Sequence, residues 1–433
     1  MSPMATSILG WAAHQLRTLV ELTRTPHQAL LNQYERFGAV STLGAGRRRY
    51  VFMMGPAAND FVLSNSGLFS WRESFESLIV VNGGTALLVS DGAEHRRRRQ
   101  VLVPKFAQNE VDGYTGRIRV AANAVIDRWQ QGQRLDLSVE LRTMVRRSTI
   151  AVLFGPRLTA HEAALGALID RALVVVDRPQ PLQSLQRLGL PSWRQAVSAR
   201  RKVAQRVAME VAHRRSHHDD DADDVLTLLL AHQHCDRAGL TDTEVVDQVI
   251  SVTAASYVTS SAAMSWVVHA LLSGPGVWQQ AKDSLDDPGW RYVDGVIAES
   301  LRLHPPVALL PRMVVEPFTY QDFSVPAGNR VLISPYVTHR IADLWPDPHR
   351  FDPHRWDPAR PGHRRPGRNE YLPFGGGPHR CIGAGFAVAE MTVLVEQLLR
   401  RTELRLDSVD ATPVGLADMQ PRSGPHATVL SLV

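Results

Sequence analysis

Residues 374–383 read FGGGPHRCIG, a glycine-rich turn that ends just before a long apolar helical pattern. The turn places Cys381 beside His379 and Arg380, which supply positive potential together with the start of the following helix. Such surroundings favour an ionised thiol, and glycines let backbone N–H groups approach a sulfur where a Cβ would clash. The residues therefore indicate an iron ligand, although a buried structural cysteine in a glycine turn is the alternative.

The spacing Phe-Gly-x-Gly-x-His-x-Cys-x-Gly is met at every fixed position of this turn. On these residues the chain resembles the cytochrome P450 family, whose haem-binding loop carries this pattern. The resemblance implies haem b (iron protoporphyrin IX) as the cofactor and Cys381 as its metal ligand. It also makes Phe374, Gly375 and Gly383 cofactor-binding positions. The adjoining run GAGFAV is not a dinucleotide fingerprint, because its sixth residue is valine and no strand precedes it.

The composition is that of an ordinary globular protein, with 44% hydrophobic and 21% charged residues in a chain of 433. The length would allow two or three average domains, but we expect a single haem domain over residues 1–433. The two cysteines, Cys235 and Cys381, are too few for a disulfide framework and are consistent with a reducing compartment. No apolar run approaches the roughly 20 residues that span a bilayer. We expect a cytoplasmic monomer without a membrane segment.

The charge balance is mildly basic, since 48 lysines and arginines face 43 acidic residues, a difference of +5. We predict no nucleic-acid partner, because the chain shows no aromatic-interleaved basic module, helix-turn-helix or zinc pattern. The segment HHDDDADD at residues 217–224 crowds histidines and carboxylates together. Contiguous side chains diverge and charge blocks usually lie in water, so we interpret this segment as a solvated loop and not as a metal site.

The hydrophobic periodicity predicts a mainly α fold with a small β part, and the resemblance specifies a P450-like fold. The predicted elements are a helix over 8–36 ending near Gly38, short strands at 39–44 and 50–54, a mostly helical region over 107–272 with breaks near 155–157, 178–191 and 238–240, and a second β-rich part near 313–335. In the resembling family the zone at 178–191 lies over the substrate pocket, so it is a candidate lid.

A charged pair stands out in the helical pattern before the second β-rich part. Glu299 and Arg302 are three residues apart on one helical face with apolar neighbours, so we expect a partly buried pair. Taken alone, such a pair is often a surface salt bridge. The resemblance adds Arg355 to form a structural triad whose role is folding and haem retention, because arginine forks bind carboxylates and carbonyls bidentately.

A haem brings two propionates whose charge must be neutralised when they leave bulk water. The resemblance assigns this role to His95 and Arg99, which are four residues apart on one helical face, and to Arg312 and His379. In the same helix we expect Arg99 to turn inward and some residues of 96–98 to face solvent.

The outward arginines predict a basic patch on the cysteine side of the molecule. Its further members would be Arg364, Arg365, Arg368 and Arg380. An acidic ferredoxin, reduced by a ferredoxin reductase, is the partner that this proximal face would attract through salt-sensitive steering.

The central helix, at residues 250–266, departs from the family pattern Ala-Gly-x-Asp/Glu-Thr-Thr/Ser. Ser256 stands at the glycine, Val258 at the acid and Thr259 at the threonine. In ordinary members the acid and the alcohol relay protons during oxygen reduction. Thr259 can still donate a hydrogen bond, but Val258 cannot exchange a proton. Tyr257, if it points toward the haem, is the first candidate to substitute.

Three functions follow from this departure. The first is a monooxygenase that uses O2 and electrons from ferredoxin and its reductase, with protons arriving by a water chain or a substrate group. The second is a relay-free haem-thiolate enzyme that uses peroxide or a substrate with its own N–O or O–O bond. The third is a non-catalytic haem or ligand-binding protein.

The ligand itself is predicted only as a small lipophilic molecule. The candidate pocket positions are apolar, namely Ile79, Val80, Val81, Val307, Leu309 and Leu310. The phrases at 75–78, 336–340 and 355–358 resemble actinobacterial members associated with polyketide pathways, which favours a natural-product substrate. The connection at 286–291 is shorter than is common in the family and should alter partner docking more than the pocket.

Overall fold

The structure is a computed structural model, and it describes residues 17–18, 20–44, 49–175, 189–217, 223–234 and 239–433. The chain forms two compact units, each assembled from separated stretches of sequence. The first contains Met1–Ser74, Ala298–Cys381 and Asp410–Ser423, and the second contains Phe75–Ile297, Ile382–Val409 and Gly424–Val433. Helices dominate and strands form a smaller part of the described chain, so the predicted fold class is confirmed. A single domain over the whole chain stays a prediction.

The described helices, in chain order, are α1 (Pro26–Phe37), α2 (Pro56–Ser64), α3 (Trp71–Ser74), α4 (Ile79–Asn82), α5 (Gly92–Leu102), α6 (Gln108–Ile126), α7 (Leu137–Thr159), α8 (Glu162–Leu173), α9 (Pro191–His217), α10 (Val225–Ala231), α11 (Asp242–Ser273), α12 (Val277–Asp283), α13 (Tyr292–Leu303), α14 (Pro335–Thr338) and α15 (Ala384–Arg401). The strands are β1 (Val40–Leu43), β2 (Tyr50–Met53), β3 (Phe69–Ser70), β4 (Arg134–Asp136), β5 (Leu310–Val314), β6 (Phe318–Tyr320), β7 (Phe323–Val325), β8 (Arg330–Ile333), β9 (Thr402–Val414) and β10 (Gln420–Leu432).

The first unit is built on a five-stranded sheet in the order β1-β2-β8-β5-β3. The β2–β8 pair is parallel and the other pairs are antiparallel. Successive strand residues point to opposite faces, so Val51 and Val331 join one buried cluster while Phe52 and Leu332 join another. Both faces of the sheet are therefore covered, which makes it a rigid base for the loops that follow its strands.

The predicted N-terminal helix ends where the sequence indicated, but it is interrupted and not continuous. Helix α1 stops at Phe37, and Gly38 follows with φ 75°. It begins at Pro26, whereas the sequence predicted one helix over 8–36. Residues 20–24 are also helical, but Thr25 separates them from α1, because proline has no N–H to continue the ladder and is favoured at a helix start. The first 16 residues lie outside the described part.

The second unit is a helical assembly in which α11 packs on α7, α7 on α6 and α6 on α15. Helix α7 bends at Gly155, which has φ 82° and is followed by Pro156, as the predicted break at 155–157 requires. Helix α11 begins with a capping box in which the Thr241 hydroxyl and the Glu244 carboxylate satisfy each other's backbone N–H groups. The predicted lid zone at 178–191 lies mostly outside the described residues, as does Cys235.

The acidic segment at 217–224 is not wholly solvated, which corrects part of our interpretation. Asp224 is 2% exposed, caps α10 by accepting from the Thr227 N–H at 2.9 Å, and receives both Nη atoms of Arg214 at 2.7 and 2.8 Å. Residues 218–222 lie outside the described part. In the described residues no group of three or more potential ligands is placed to hold a metal ion.

One stretch of the described chain, Gly377–Arg401, is long and apolar enough to cross a membrane by length and composition. The sequence analysis expected no such stretch. Half of its most apolar window is buried, and Glu390 on α15 accepts a hydrogen bond from Thr149 of α7 at 3.1 Å. The core helix of a globular protein meets the same test, so this finding is weak support for a membrane span.

Candidate functional site

The cysteine turn closes on itself through backbone hydrogen bonds in the first unit. The Cys381 N–H donates to the Phe374 carbonyl at 2.9 Å, and the Gly375 N–H donates to the Leu372 carbonyl at 3.1 Å. Gly377 has φ 65°, and a Cβ there would lie 2.6 Å from the Leu63 carbonyl oxygen. The glycine is thus required by the left-handed backbone and by the close approach of α2. Cys381 ends this turn with an exposed side chain.

Trp71 brings together two side chains that the sequence had assigned to the cofactor. Its ring stacks on His379, with centroids 4.5 Å apart and planes 3° from parallel. The Arg312 guanidinium lies over the same indole, 4.2 Å from the ring centroid. Sequence reasoning missed Trp71, because a stacking contact has no characteristic spacing in the sequence. The tryptophan therefore holds the His379 imidazole and the Arg312 guanidinium in one place.

His95 and Arg99 lie on α5 in the second unit, one turn apart as the sequence predicted. His95 is buried, and this burial, together with the charge of Arg99, lowers its pKa to about 4. The imidazole is therefore neutral at pH 7, so His95 offers a hydrogen bond while Arg99 carries the positive charge of the pair.

The remaining arginines of this helix face different ways, in agreement with the expectation that some of residues 96–98 face solvent. Arg98 is buried, with its Nε donating to Glu244 at 3.0 Å and Nη1 to the Ser90 hydroxyl at 2.7 Å. Arg97 also pairs with Glu244. Only Arg96 of the three is exposed. A carboxylate at the start of α11, which the sequence analysis did not consider, neutralises the inward arginines.

Thr259 and Val258 are both partly exposed on α11. The Thr259 hydroxyl donates to the carbonyl of Ala255 at 2.8 Å, one helical turn back. That bond leaves the oxygen lone pairs of Thr259 available, since the hydroxyl proton is used on the helix itself. Val258 adds only methyl groups to this surface.

Tyr257 does not share the surface of Thr259, and this removes it from the candidate proton donors. Its hydroxyl donates to Asp170 of α8 at 2.5 Å, and the Arg142 guanidinium lies 5.2 Å from its ring centroid. Burial and the Asp170 charge raise the pKa of Tyr257 well above its usual value. Two residues along a helix differ by about 200°, so the sequence contained the signal that Tyr257 and Thr259 face opposite ways.

Glu299, Arg302 and Arg355 meet in the first unit as the sequence predicted, but the pair is fully rather than partly buried. The Arg302 guanidinium donates two hydrogen bonds of 2.8 Å to the Glu299 carboxylate, and both side chains are 0% exposed. The Arg355 Nε lies 3.5 Å from Glu299. The remaining donors of Arg302 bind the carbonyls of His339, Pro348 and Arg350 at 2.7, 2.8 and 3.1 Å. This pair therefore ties α13 to the irregular segment after α14.

Two polar residues that the sequence analysis missed hold the segment after α4. Asp247 on α11 accepts from the Thr85 N–H and hydroxyl at 3.1 and 2.7 Å. Its neighbour Gln248 accepts from the Leu87 N–H at 2.8 Å and donates to the Thr85 carbonyl at 2.7 Å. A Cβ at Gly83 would fall about 2.1 Å from the Asp247 carboxylate, so this contact requires glycine. The segment adjoins the predicted pocket positions at 79–81.

The chemistry of the first unit fits a haem. Cys381 provides an exposed thiol, and sulfur ligands suit iron. Arg312 is 5% exposed, and a guanidinium so placed suits a carboxylate that has left water. His379 lies on the same indole as Arg312. A thiol ligand and two carboxylate-binding side chains therefore belong to the same compact unit.

Comparison with known proteins agrees with this chemistry. The family model for cytochrome P450 matches residues 7–419. The chain is 39% identical over 392 residues to cytochrome P450 139 of Mycobacterium tuberculosis, covering 88% of this chain and 91% of that one. It is 31% identical over 337 residues to a protein of Streptomyces melanosporofaciens named cyclooctat-9-en-7-ol 5-monooxygenase, covering 74% and 73%.

The fold also matches a solved structure. A cyanobacterial protein described as retinoic acid bound CYP120A1 superposes with a TM-score of 0.83, at 23% identity, over 96% of both chains. At that identity the match supports the fold alone. The family model and the actinobacterial relatives support membership of the family. The chain therefore belongs to the cytochrome P450 family of haem b oxidoreductases.

Proposed function

We propose that this protein is a haem-thiolate monooxygenase that uses O2 and two electrons from a ferredoxin and its reductase to oxidise a lipophilic natural product. The observation that carries the proposal is Cys381, which ends a closed glycine turn with its thiol exposed. When bound, the haem supplies the oxygen chemistry. A relative whose name states a monooxygenase of cyclooctat-9-en-7-ol supports the reaction type and the substrate class.

In this proposal Cys381 would bind the haem iron through its sulfur, and Phe374, Gly375 and Gly383 would shape the loop around it. Arg312 and Arg99 neutralise the propionates with their charge, whereas His379 and the neutral His95 contribute hydrogen bonds. Trp71 orients the Arg312 and His379 side chains by stacking. Glu299, Arg302 and Arg355 keep the surrounding frame rigid and take no part in turnover.

Thr259 is the one candidate that we retain for proton handling. Its hydroxyl proton is held by the Ala255 carbonyl, so its oxygen is free to accept from a water or a substrate hydroxyl. Protons must then come through such a group, because Val258 has none to give. A positioned acid typically contributes about 10²- to 10⁴-fold to a rate, so its loss slows an enzyme without abolishing its chemistry.

The same observations favour one alternative function, a relay-free enzyme that takes oxygen from peroxide or from a substrate with a weak N–O or O–O bond. Val258 lacks the acid, and Tyr257 uses its hydroxyl on Asp170 and so does not replace it. We do not retain a non-catalytic binding protein, because the family is one of oxidoreductases.

The proposed ferredoxin site has less net positive charge than the arginine count implies. Arg364 and Arg368 are exposed, but Arg364 pairs with Glu370 at 2.7 Å and Arg368 with Asp60 at 3.0 Å. Arg365 and Arg380 are exposed in the same unit. We propose that an acidic ferredoxin binds there and that a cytoplasmic location suits this partner.

Spectroscopy of the reduced carbon monoxide complex tests the proposed ligand. We expect the thiolate-type Soret band in the wild type and in Cys235→Ser, which changes the other cysteine. Cys381→Ser should lose the thiolate-type band, because a hydroxyl is a poor substitute for sulfur at iron. An unchanged Soret band in Cys381→Ser would refute the assignment.

A comparison of oxidants separates the two functions. Turnover that needs NADH, ferredoxin and reductase supports the monooxygenase, whereas turnover with peroxide alone supports the relay-free enzyme. Val258→Glu should raise the fraction of electrons that reach product if O2 is the oxidant, and Val258→Gln is the matched control because it has the same shape without an acidic proton. Equal coupling in the two variants would argue against a proton-delivery defect.

A further inference from the structure

His339 follows α14 and is completely buried in the first unit. Its Nδ1 lies 3.0 Å from the Arg302 carbonyl oxygen, and its Nε2 lies 2.7 Å from the Leu372 backbone nitrogen. A carbonyl can only accept and an N–H can only donate, so Nδ1 must carry the proton and Nε2 must carry the lone pair. The two neighbours therefore specify one tautomer of a neutral imidazole.

The connection between His339 and Arg302 runs in both directions. While the imidazole donates to the Arg302 carbonyl, the Arg302 Nη1 donates to the His339 carbonyl at 2.7 Å. Arg302 is itself held by Glu299 through two contacts of 2.8 Å. The imidazole is thus anchored on α13 by the most deeply buried ion pair of this unit.

The other side of the ring leads to the cysteine turn. Leu372 donates its N–H to His339, and its carbonyl accepts from the Gly375 N–H at 3.1 Å. The turn then closes through the Phe374 carbonyl, which accepts from the Cys381 N–H at 2.9 Å. Three consecutive bonds therefore lead from the imidazole of His339 to the backbone of the cysteine.

Protonation would break this connection, because a second ring proton would face the Leu372 N–H. Burial, with the nearby positive charges of Arg302 and Arg340, lowers the pKa of His339 to about 3. The imidazole is therefore neutral near pH 7, where Nε2 keeps the lone pair that accepts from Leu372. The aromatic rings of Trp345 and Tyr371 pack at 6.1 and 5.3 Å from the ring and keep water away.

We propose that His339 is a positioning residue for the haem ligand, which acts by accepting the Leu372 N–H and so holds the cysteine turn in register with α13. This inference rests on the proposed function, in which Cys381 binds the iron. The linear sequence does not indicate the hydrogen bond between His339 and Leu372, because the two residues are 33 positions apart and the acceptor is a ring nitrogen.

Two amide substitutions test the inference, because each keeps one half of the imidazole. In His339→Gln the longer side chain reaches the Nε2 position with a carbonyl oxygen that can accept from Leu372. In His339→Asn the shorter side chain reaches the Nδ1 position with an N–H2 group that can donate to Arg302 but leaves Leu372 without its acceptor. The two holoproteins thus differ in which contact they keep: His339→Gln keeps the acceptor for Leu372, and His339→Asn keeps the donor to Arg302.

Hydrogen exchange of the Leu372 amide in the holoprotein is the first measurement. We expect about tenfold or faster exchange in His339→Asn and near wild-type exchange in His339→Gln, because a buried hydrogen bond is lost only in the former. The second measurement is the share of the reduced carbon monoxide complex that retains thiolate ligation, which should fall in His339→Asn and recover in His339→Gln. Thermal unfolding of both variants controls for general loss of stability.

Equal exchange and equal thiolate ligation in the two variants would overturn the inference. If neither variant accumulates as holoprotein, His339 is a residue of the folding core and the positioning role is rejected. If only His339→Gln accumulates, the acceptor for Leu372 is required and the inference holds. Cys381→Ser tests the proposed ligand separately from the role of His339. An unchanged Soret band in that variant would refute the ligand, even if exchange of the Leu372 amide differed between His339→Gln and His339→Asn.

Discussion

Glu299 in the first unit and Glu390 in the second are both 0% exposed, yet their carboxyl groups have different neighbours. Glu299 has two contacts of 2.8 Å with Arg302 and also accepts from the Trp356 Nε1 at 3.0 Å. Glu390 has hydroxyl neighbours instead: Ser148 and Thr149 both donate to its Oε1, and the Ser260 hydroxyl also interacts with the carboxyl group. Its Oε2 has no hydrogen-bond partner among the residues that the structure describes.

The difference shows two ways in which a protein can bury a carboxyl group. A guanidinium neutralises the charge of Glu299 inside the unit. Among the residues that the structure describes no cation pairs with Glu390, and burial raises its pKa to about 7 although the hydroxyls of Ser148, Thr149 and Ser260 oppose the shift. Burial of the Glu299 carboxylate therefore depends on its partner Arg302, whereas burial of the Glu390 carboxyl group depends on its being protonated. Three substitutions follow from this contrast.

The largest effect should come from Arg302→Leu. The leucine leaves the Glu299 carboxylate buried without its guanidinium and removes three donors to backbone carbonyls. We expect the free energy of unfolding to fall by about 3–5 kcal/mol, which is a large part of a typical stability of about 5–15 kcal/mol. Urea unfolding and the haem content of the purified protein measure this loss.

Arg302→Lys sharpens the result, because lysine keeps the charge but cannot form the fork, and it should fall between the wild type and leucine. The matched control is Arg400→Leu, which removes an exposed partner of Asp286 and should cost less than about 1 kcal/mol. If the two leucine variants were equally stable, burial would not govern the strength of the pair.

The second effect is a pH dependence that Glu390→Gln should remove. The folded state holds the Glu390 proton up to about pH 7, whereas the unfolded chain releases it near 4.5. The contribution of Glu390 to stability is therefore fully present below about pH 4.5, declines by about 1 kcal/mol per pH unit as the pH rises, and is lost above about 7.

Glutamine resembles the protonated acid, since its carbonyl can still accept from Ser148 and Thr149. The difference in unfolding free energy between wild type and Glu390→Gln should therefore shrink or change sign between about pH 4 and about pH 8, values on either side of the transition from about 4.5 to about 7. Denaturant midpoints at both pH values measure it. A difference that does not change with pH would mean that Glu390 is not protonated in the folded state.

The contrast also explains which parts of the molecule the sequence could predict. Glu299 and Arg302 were predicted because the partners are three residues apart on one helix. The contact between Glu390 and Ser148 was not predicted, because the two residues are 242 positions apart and a hydroxyl donor has no charge that a sequence pattern could reveal. Local spacing carries information about neighbours on one element, whereas contacts between elements are decided by how helices pack.

The same distinction holds at the candidate site. The cysteine turn and the pair of His95 and Arg99 follow from spacing, and the structure has the turn and helix that were predicted. Trp71 was missed because stacking has no sequence spacing. The sequence predicted that some of residues 96–98 face solvent but not which ones, because Glu244, the partner that holds Arg98 inside, is 146 residues away.

The smallest effect should come from Ser148→Ala. The Ser148 hydroxyl lowers the pKa of Glu390, so its loss should move the stability transition to higher pH. Thr149 still donates at 3.1 Å, so the shift should be smaller than the one that burial causes, and the loss of stability should be about 1 kcal/mol. Unfolding midpoints measured across the transition test this, with Ser216→Ala as the control because that exposed hydroxyl only bonds its own helix. A transition that stays in place would show that the Ser148 hydroxyl does not set the protonation of Glu390 and that the absence of a paired guanidinium is what distinguishes it from the equally buried Glu299.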